Sequence, residues 1–129
     1  MRANGVRIWP GGYKLTIFLP VATAARTVAN LHENPRISIT LSEIATHRTL
    51  QLKGAVLAIR AAPEEDQAFV TNYRELFAAD LAWAGQTTAN TLALTVWPAH
   101  AVDVEIAVVY TQTPGPVAGL QMPIAGVRP

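Results

Sequence analysis

At 129 residues the chain is long enough for one domain with a real core and too short for two. Half of the residues are hydrophobic and only 15% are charged, which excludes a disordered chain, and a formal charge of +1 leaves no basic footprint for nucleic acid. The lack of cysteine removes disulfides, thiolate catalysis and zinc-finger chemistry, and His32, His47 and His100 offer no close-spaced metal-ligand pair.

Residues 6–9 suggest a short strand, and Pro10-Gly11-Gly12 a turn into a second strand at residues 14–19, where Leu15, Ile17 and Leu19 share a face. The two should form a hairpin that Pro20 stops. A helix follows, with Thr23 as its expected N-cap and Ala24, Val28 and Leu31 as its apolar stripe; Asn34-Pro35 should end it near Glu33. Residues 36–42 then alternate, Ile37, Ile39 and Leu41 inward against Ser38, Thr40 and Ser42 outward, which is the pattern of a half-buried strand.

After a connection at residues 43–46 a longer strand is expected at 47–60, with Leu50 and Leu52 on one face and Thr49, Gln51 and Lys53 on the other. Gly54 falls where the alternation changes phase, which suggests a bulge or a close backbone approach. Pro63 and the acids Glu64, Glu65 and Asp66 open a second helix, whose Phe69, Val70, Tyr73, Leu76, Phe77 and Leu81 read as a core-facing stripe. Gly85 should stop it. Residues 91–97 alternate Leu92, Leu94 and Val96 against Thr91, Ala93, Thr95 and Trp97, and residues 101–111 alternate Val102, Val104, Ile106, Val108 and Tyr110 against Asp103 and Glu105. These two strands are expected to be antiparallel neighbours. The sequence from Thr113 is rich in proline and glycine, so the chain divides into a domain at 1–113 and a tail at 114–129, either a docking arm or a disordered end. The sum is a mainly β, α+β fold: a small antiparallel barrel with two packed helices.

No apolar run approaches the roughly 20 residues that cross a bilayer. Met1-Arg2-Ala3-Asn4-Gly5 is followed by no apolar stretch of a signal peptide, so the expected setting is cytoplasmic, without a membrane. Two places carry donors. A helix start offers unpaired N–H groups and a positive dipole end, and here Thr23, Arg26 and Thr27 lie close to it. The long strand carries Arg48, Thr49, Gln51 and Lys53. Folded together, these groups make a phosphate-sized pocket; taken singly, they read as a capped helix and a solvated strand face. His47 could bond a ligand, and Asp103 and Glu105 share a strand face, but no spacing fixes a catalytic acid or base.

Over these residues the chain resembles the pyridoxamine 5′-phosphate oxidase-like flavoproteins, the FMN-binding split-barrel family. Ala25-Arg26-Thr27-Val28-Ala29-Asn30-Leu31-His32-Glu33-Asn34-Pro35 looks like the family's Ser-Arg-Lys helix ending in Leu-x-x-Asn-Pro. Arg48-Thr49-Leu50-Gln51-Leu52-Lys53-Gly54 looks like its Arg-Gln-Val-Arg-Val-x-Gly strand, and the helix with Tyr73-Arg74-Glu75-Leu76-Phe77 also falls in place. The resemblance implies an antiparallel split β-barrel and a homodimer with FMN at the subunit interface. It also implies a flavin-dependent oxidoreductase acting on a small-molecule acceptor. Arg26 and Arg48 match the family's arginines, with the FMN phosphate against the helix start and the strand side chains. The family's lysine falls on Thr27, its strand glutamine on Thr49 and its second strand arginine on Gln51, each with less charge or reach; Lys53, on the same face, could restore one charge. The Arg-x-His-Asp-Arg-like signature of the vitamin B6 enzymes is replaced by Gln112-Thr113-Pro114-Gly115-Pro116. Two alternatives stay open: a cofactor-free split-barrel dimer, and a deazaflavin or haem binder on the same scaffold with His47 or His100 as the haem's axial ligand.

Overall fold

A computed structural model describes residues 1–124 of the chain. The first hairpin forms as expected. Strand β1 (Val6–Ile8) pairs antiparallel with β2 (Lys14–Pro20), and the turn needs the positive φ of Gly11 (99°) and Gly12 (82°). Helix α1 (Val21–Glu33) follows without a break, then β3 (Arg36–Ser42) and β4 (Thr49–Ala61). A short 3₁₀ turn at Glu64–Asp66 leads into α2 (Gln67–Trp83), and a single-turn helix, α3 (Ala89–Leu92), precedes β5 (Ala99–Thr111) and β6 (Gln121–Met122).

The six strands form one antiparallel sheet in the order β1-β2-β5-β4-β3, with β6 joined to β5 through Val109 and Tyr110. The β1 and β3 ends do not pair with each other, so the barrel is open along one side. Alternation assigns the two faces. Leu15, Ile17, Leu19, Leu52, Val102, Val104 and Ile106 point inward and pack with Ala24 and Leu31 of α1. Phe18, Ala99 and Ala101 point outward and are covered by Val70 of α2 and by Val96. Each large side chain so buried contributes about 1.5–3 kcal/mol.

Gly54 is the close approach that its phase change implies: a Cβ there would fall on the carbonyl oxygen of Glu105. The β4–β5 register shifts at this point, with Lys53 opposite Val108 and Gly54 opposite Ile106. Ala107 is therefore extra, and beyond it β5 changes phase. This corrects the expected alternation. Val108 and Tyr110 share the outer face with Lys53 and Gln51, while Val109 packs against the inner core.

Three further expectations change. Thr23 is not the N-cap: Pro20 holds that position at φ −65°, and the Val21 N–H donates to the Pro98 carbonyl at 3.0 Å. Proline suits a strand that runs straight into a helix, because its fixed φ fits both and it has no N–H to leave unpaired. Residues 91–97 are not a strand beside β5. Leu92 N–H donates to Thr88 O and Ala93 N–H to Ala89 O, both at 3.0 Å, closing α3 instead. The sides of β5 are already taken by β2, β4 and β6, so no edge remains for another strand. In α2, Val70 and Ala78 are buried, while Leu76 is 59% exposed. At about 100° per residue Leu76 lies well around the helix from Val70, Phe77 and Leu81.

Gly85 stops α2 at φ 78°, as expected, whereas β4 begins at Thr49 and not at His47, because His47 takes φ 58° in the turn after β3. Part of the 114–129 segment folds back along β5: Gly119 N–H donates to Thr111 O at 2.6 Å and Thr111 N–H to Leu120 O at 2.9 Å. The rest of that tail, residues 125–129, lies outside the described residues.

Candidate functional site

The strand-face group sits on the outer side of β4, next to the hydroxyls of β3. Thr49 Oγ1 donates to His47 O at 3.0 Å and lies 3.0 Å from Ser42 Oγ. Gln51 Nε2 donates to Ser38 Oγ at 3.2 Å, and Gln112 Nε2 donates to Gln51 Oε1 at 3.3 Å. Lys53 Nζ stands 5.5 Å from the Tyr110 ring centroid, an alignment made possible by the phase change after Ala107. Arg48 lies just before the strand, with its side chain 76% exposed and a loose 4.0 Å approach to Glu43. Such an exposed pair holds little energy and leaves the guanidinium available.

The helix group is placed differently from the sequence expectation. Because α1 begins at Val21, Arg26 and Thr27 fall in its second turn, past the N–H groups where the dipole is felt. Thr23 and Arg26 are exposed on the helix surface, and Arg26 makes no ion pair among the described residues. Thr27 is half-buried and lines a large cleft that Arg48 also lines. Thr27 and Arg48 thus both line the cleft of one protomer. The fold leaves Thr49, Gln51 and Lys53 on the opposite sheet face and Thr23 and Arg26 on the helix.

The cleft is the open side of the barrel, about 1360 Å³. Ile37, Ile39 and Leu41 of β3 line one part, and Tyr73, Arg74, Phe77 and Leu81 of α2 another. Arg74 was not singled out by its sequence; its one signal is a cation on the apolar stripe of α2. Its Nη1 donates to Leu94 O at 2.9 Å, while Nε is buried without a partner among the described residues. Burial also raises the Tyr73 phenol above the usual tyrosine range.

A second polar cluster lies across the outer face of β2, β5 and β4. Trp9 Nε1 donates to Thr16 Oγ1 at 2.9 Å, and Thr16 Oγ1 donates to Asp103 Oδ1 at 2.6 Å. Arg60 grips the same carboxylate twice, Nε to Oδ2 at 3.1 Å and Nη2 to Oδ1 at 3.2 Å. The Asp103 hydrogen bond holds the Arg60 guanidinium above its ordinary pKa, against the opposing effect of burial. Nearby, Arg7 bonds Asp66 at 2.8 Å and lies 4.5 Å from the Phe69 ring centroid. Asp103 is 7% exposed and fully engaged, so it serves as a cross-strand tie between β2 and β4. The sequence suggested only its shared face with Glu105.

His47 is exposed in the β3–β4 turn, and His100 is half-buried in β5 opposite Leu19 and Ala61. Among the described residues no group of three or more His, Asp or Glu side chains is placed to hold a metal, and no helix is long and apolar enough to cross a membrane. Neither a curated protein nor a solved structure matches the chain. Residues 4–106 match the family described as pyridoxamine 5′-phosphate oxidase, whose members generally bind flavin. The match runs from the first hairpin through the central strand, so the chain belongs to the pyridoxamine 5′-phosphate oxidase-like family.

Proposed function

We propose that the protein is a homodimeric FMN-binding oxidoreductase acting on a small-molecule acceptor in the cytoplasm. The observation that carries this reading is the family match over a region in which Arg26 and Arg48 are exposed and held by no tight ion pair. The donor chemistry fits a phosphate. A guanidinium offers two parallel N–H bonds to phosphate oxygens, and Arg48 would exchange only a loose contact with Glu43 for them. Lys53 would add a point charge, leaving its place near Tyr110. Thr49 and Gln51 must release their bonds to Ser42 and Ser38 before serving a ligand, at a net cost of about 1 kcal/mol each. Thr27 adds a hydroxyl where the family has a charge. The division of these groups between two faces of one protomer supports a site completed across a dimer interface. When bound, FMN would supply the hydride and electron chemistry; the protein positions it and excludes water.

A second reading, a cofactor-free dimer, is favoured by one observation: Thr49 already bonds Ser42 and the His47 carbonyl, and Gln51 bonds Ser38, within the sheet and its turn. Titration of purified protein with FMN separates the two. Flavin absorbance or saturable quenching of FMN fluorescence is expected, and an Arg26→Ala, Lys53→Ala double variant should bind at least about tenfold more weakly. Native protein that neither carries nor takes up FMN, while remaining dimeric, overturns the flavin reading in favour of the second.

A further inference from the structure

We propose that residues 117–124 act as a displaceable stave of the barrel, whose release opens the interior beside β5 to an incoming ligand. Where that ligand is the cofactor, the proposal rests on the flavin reading; the opening itself does not. Three observations converge on it.

The first is where the segment lies. β2 pairs with β5 only from Pro20 opposite Ala99 to Lys14 opposite Glu105, so one side of β5 is free of β2 beyond Ile106. β4 holds the other side there, with Leu52 opposite Val109. β6 takes the free side through Val109 and Tyr110. It stands in the sheet where β2 has ended, beyond the region of the family match.

The second is what the segment carries. Residues directly opposite in an antiparallel pair point to the same face. Val109 packs on the inner core, so Met122 opposite it points inward, and Gln121 opposite Tyr110 points outward. Met122 accordingly lines the cleft, and Ile124 packs against the inner core. Two apolar side chains of this segment thus wall the interior.

The third is how loosely the segment is held. β6 is two residues long, and the return to β5 adds the bonds from Gly119 N–H to Thr111 O and from Thr111 N–H to Leu120 O. Val117 and Leu120 are more than half exposed and Met122 is 39% exposed, so release uncovers little apolar area. Gly115 at φ 143° and Gly119 at φ 89° supply the turns on which the connection swings. A segment with so few buried contacts opens at far lower cost than the sheet unfolds.

The chain has no cysteine, so a lone Val109→Cys thiol beside Met122 reports on the stave. Its labelling by a thiol reagent should rise at least about tenfold when residues 114–129 are removed, and by a smaller factor in Gly119→Val, which strains the turn. Val102→Cys, fully buried on the same strand, should stay unreactive in both backgrounds. In the unaltered chain the Thr111 and Gly119 amides should exchange hydrogen at least about a hundredfold faster than those of Val102 and Val104. A Val109→Cys, Met122→Cys pair, once oxidised, should take up FMN at least about tenfold more slowly than when reduced. Unchanged labelling on truncation, matching exchange rates along β5, or a parallel rise at Val102→Cys each overturns the proposal, as does FMN uptake indifferent to the disulfide. Protein that takes up no FMN fails the flavin reading alone, and the labelling and exchange rates still decide the stave.

Discussion

Asp103 and Arg74 are both charged groups carried on elements of the core, and their surroundings are opposite. Asp103 lies between two strands and accepts from Thr16 and twice from Arg60, with Trp9 completing the chain of donors. Arg74 gives one bond to a backbone carbonyl and keeps a buried Nε with nothing to donate to. A charge whose hydrogen bonds are filled by its own chain ties the fold together. One whose bonds are left open adds little to the fold.

That contrast can be broken by substitution. The largest loss should come not from either charge but from the backbone seam where Gly54 meets Glu105. Gly54→Ala places a Cβ on the Glu105 carbonyl and should cost on the order of 3 kcal/mol, read as a lower urea midpoint. Asp103→Ala comes next. It leaves Arg60 and Thr16 without their shared acceptor and should cost about 2 kcal/mol, less than a deep pair would because Arg60 is partly solvated. Arg74→Met should change stability by no more than about 0.5 kcal/mol, since one lost hydrogen bond is offset by removal of an unpaired buried donor. A loss as large as that of Asp103→Ala would erase the distinction between the two sites.

The smallest effect is a pH dependence confined to the cleft. Burial raises the folded-state pKa of Tyr73 above its unfolded value near 10. Its contribution is complete below that value and is lost as pH rises through the folded pKa, because only the unfolded chain gains from ionising there. Tyr73→Phe should therefore flatten the alkaline fall in stability, and tyrosinate absorbance in the wild type should show one phenol titrating late.

The hairpin of β1 and β2, the α1 stripe, β3 and the Gly54 seam were legible because each rests on local chemistry: turn glycines, period-2 alternation or a residue without a side chain. Residues 91–97 were not, since Leu92, Leu94 and Val96 alternate as a strand would and only the occupied sides of β5 forbid one. The reversal at Val108 and Tyr110 was hidden for a related reason: Gly54 announced an irregularity, but the extra residue, Ala107, belongs to its partner strand. At the site, Arg48 and Lys53 were visible as charges on a strand. Thr23 was misplaced because Pro20 took the cap, and Arg74 was passed over because nothing near it in sequence shows that its Nε lacks an acceptor.

The place of β5 has a consequence for how the chain is made. It is the strand to which β2, β4 and β6 all attach, yet it is made after β1, β2, β3 and β4. Until it leaves the ribosome, β2 and β4 each present an unsatisfied edge, and only the two hairpins β1–β2 and β3–β4 can close. The sheet must therefore assemble in one late step, by insertion of its last long strand between two waiting halves. Slowing elongation while β5 is still inside the ribosome should prolong the interval in which the nascent chain is prone to aggregate, whereas a pause after β5 has emerged should leave the yield of folded protein unchanged.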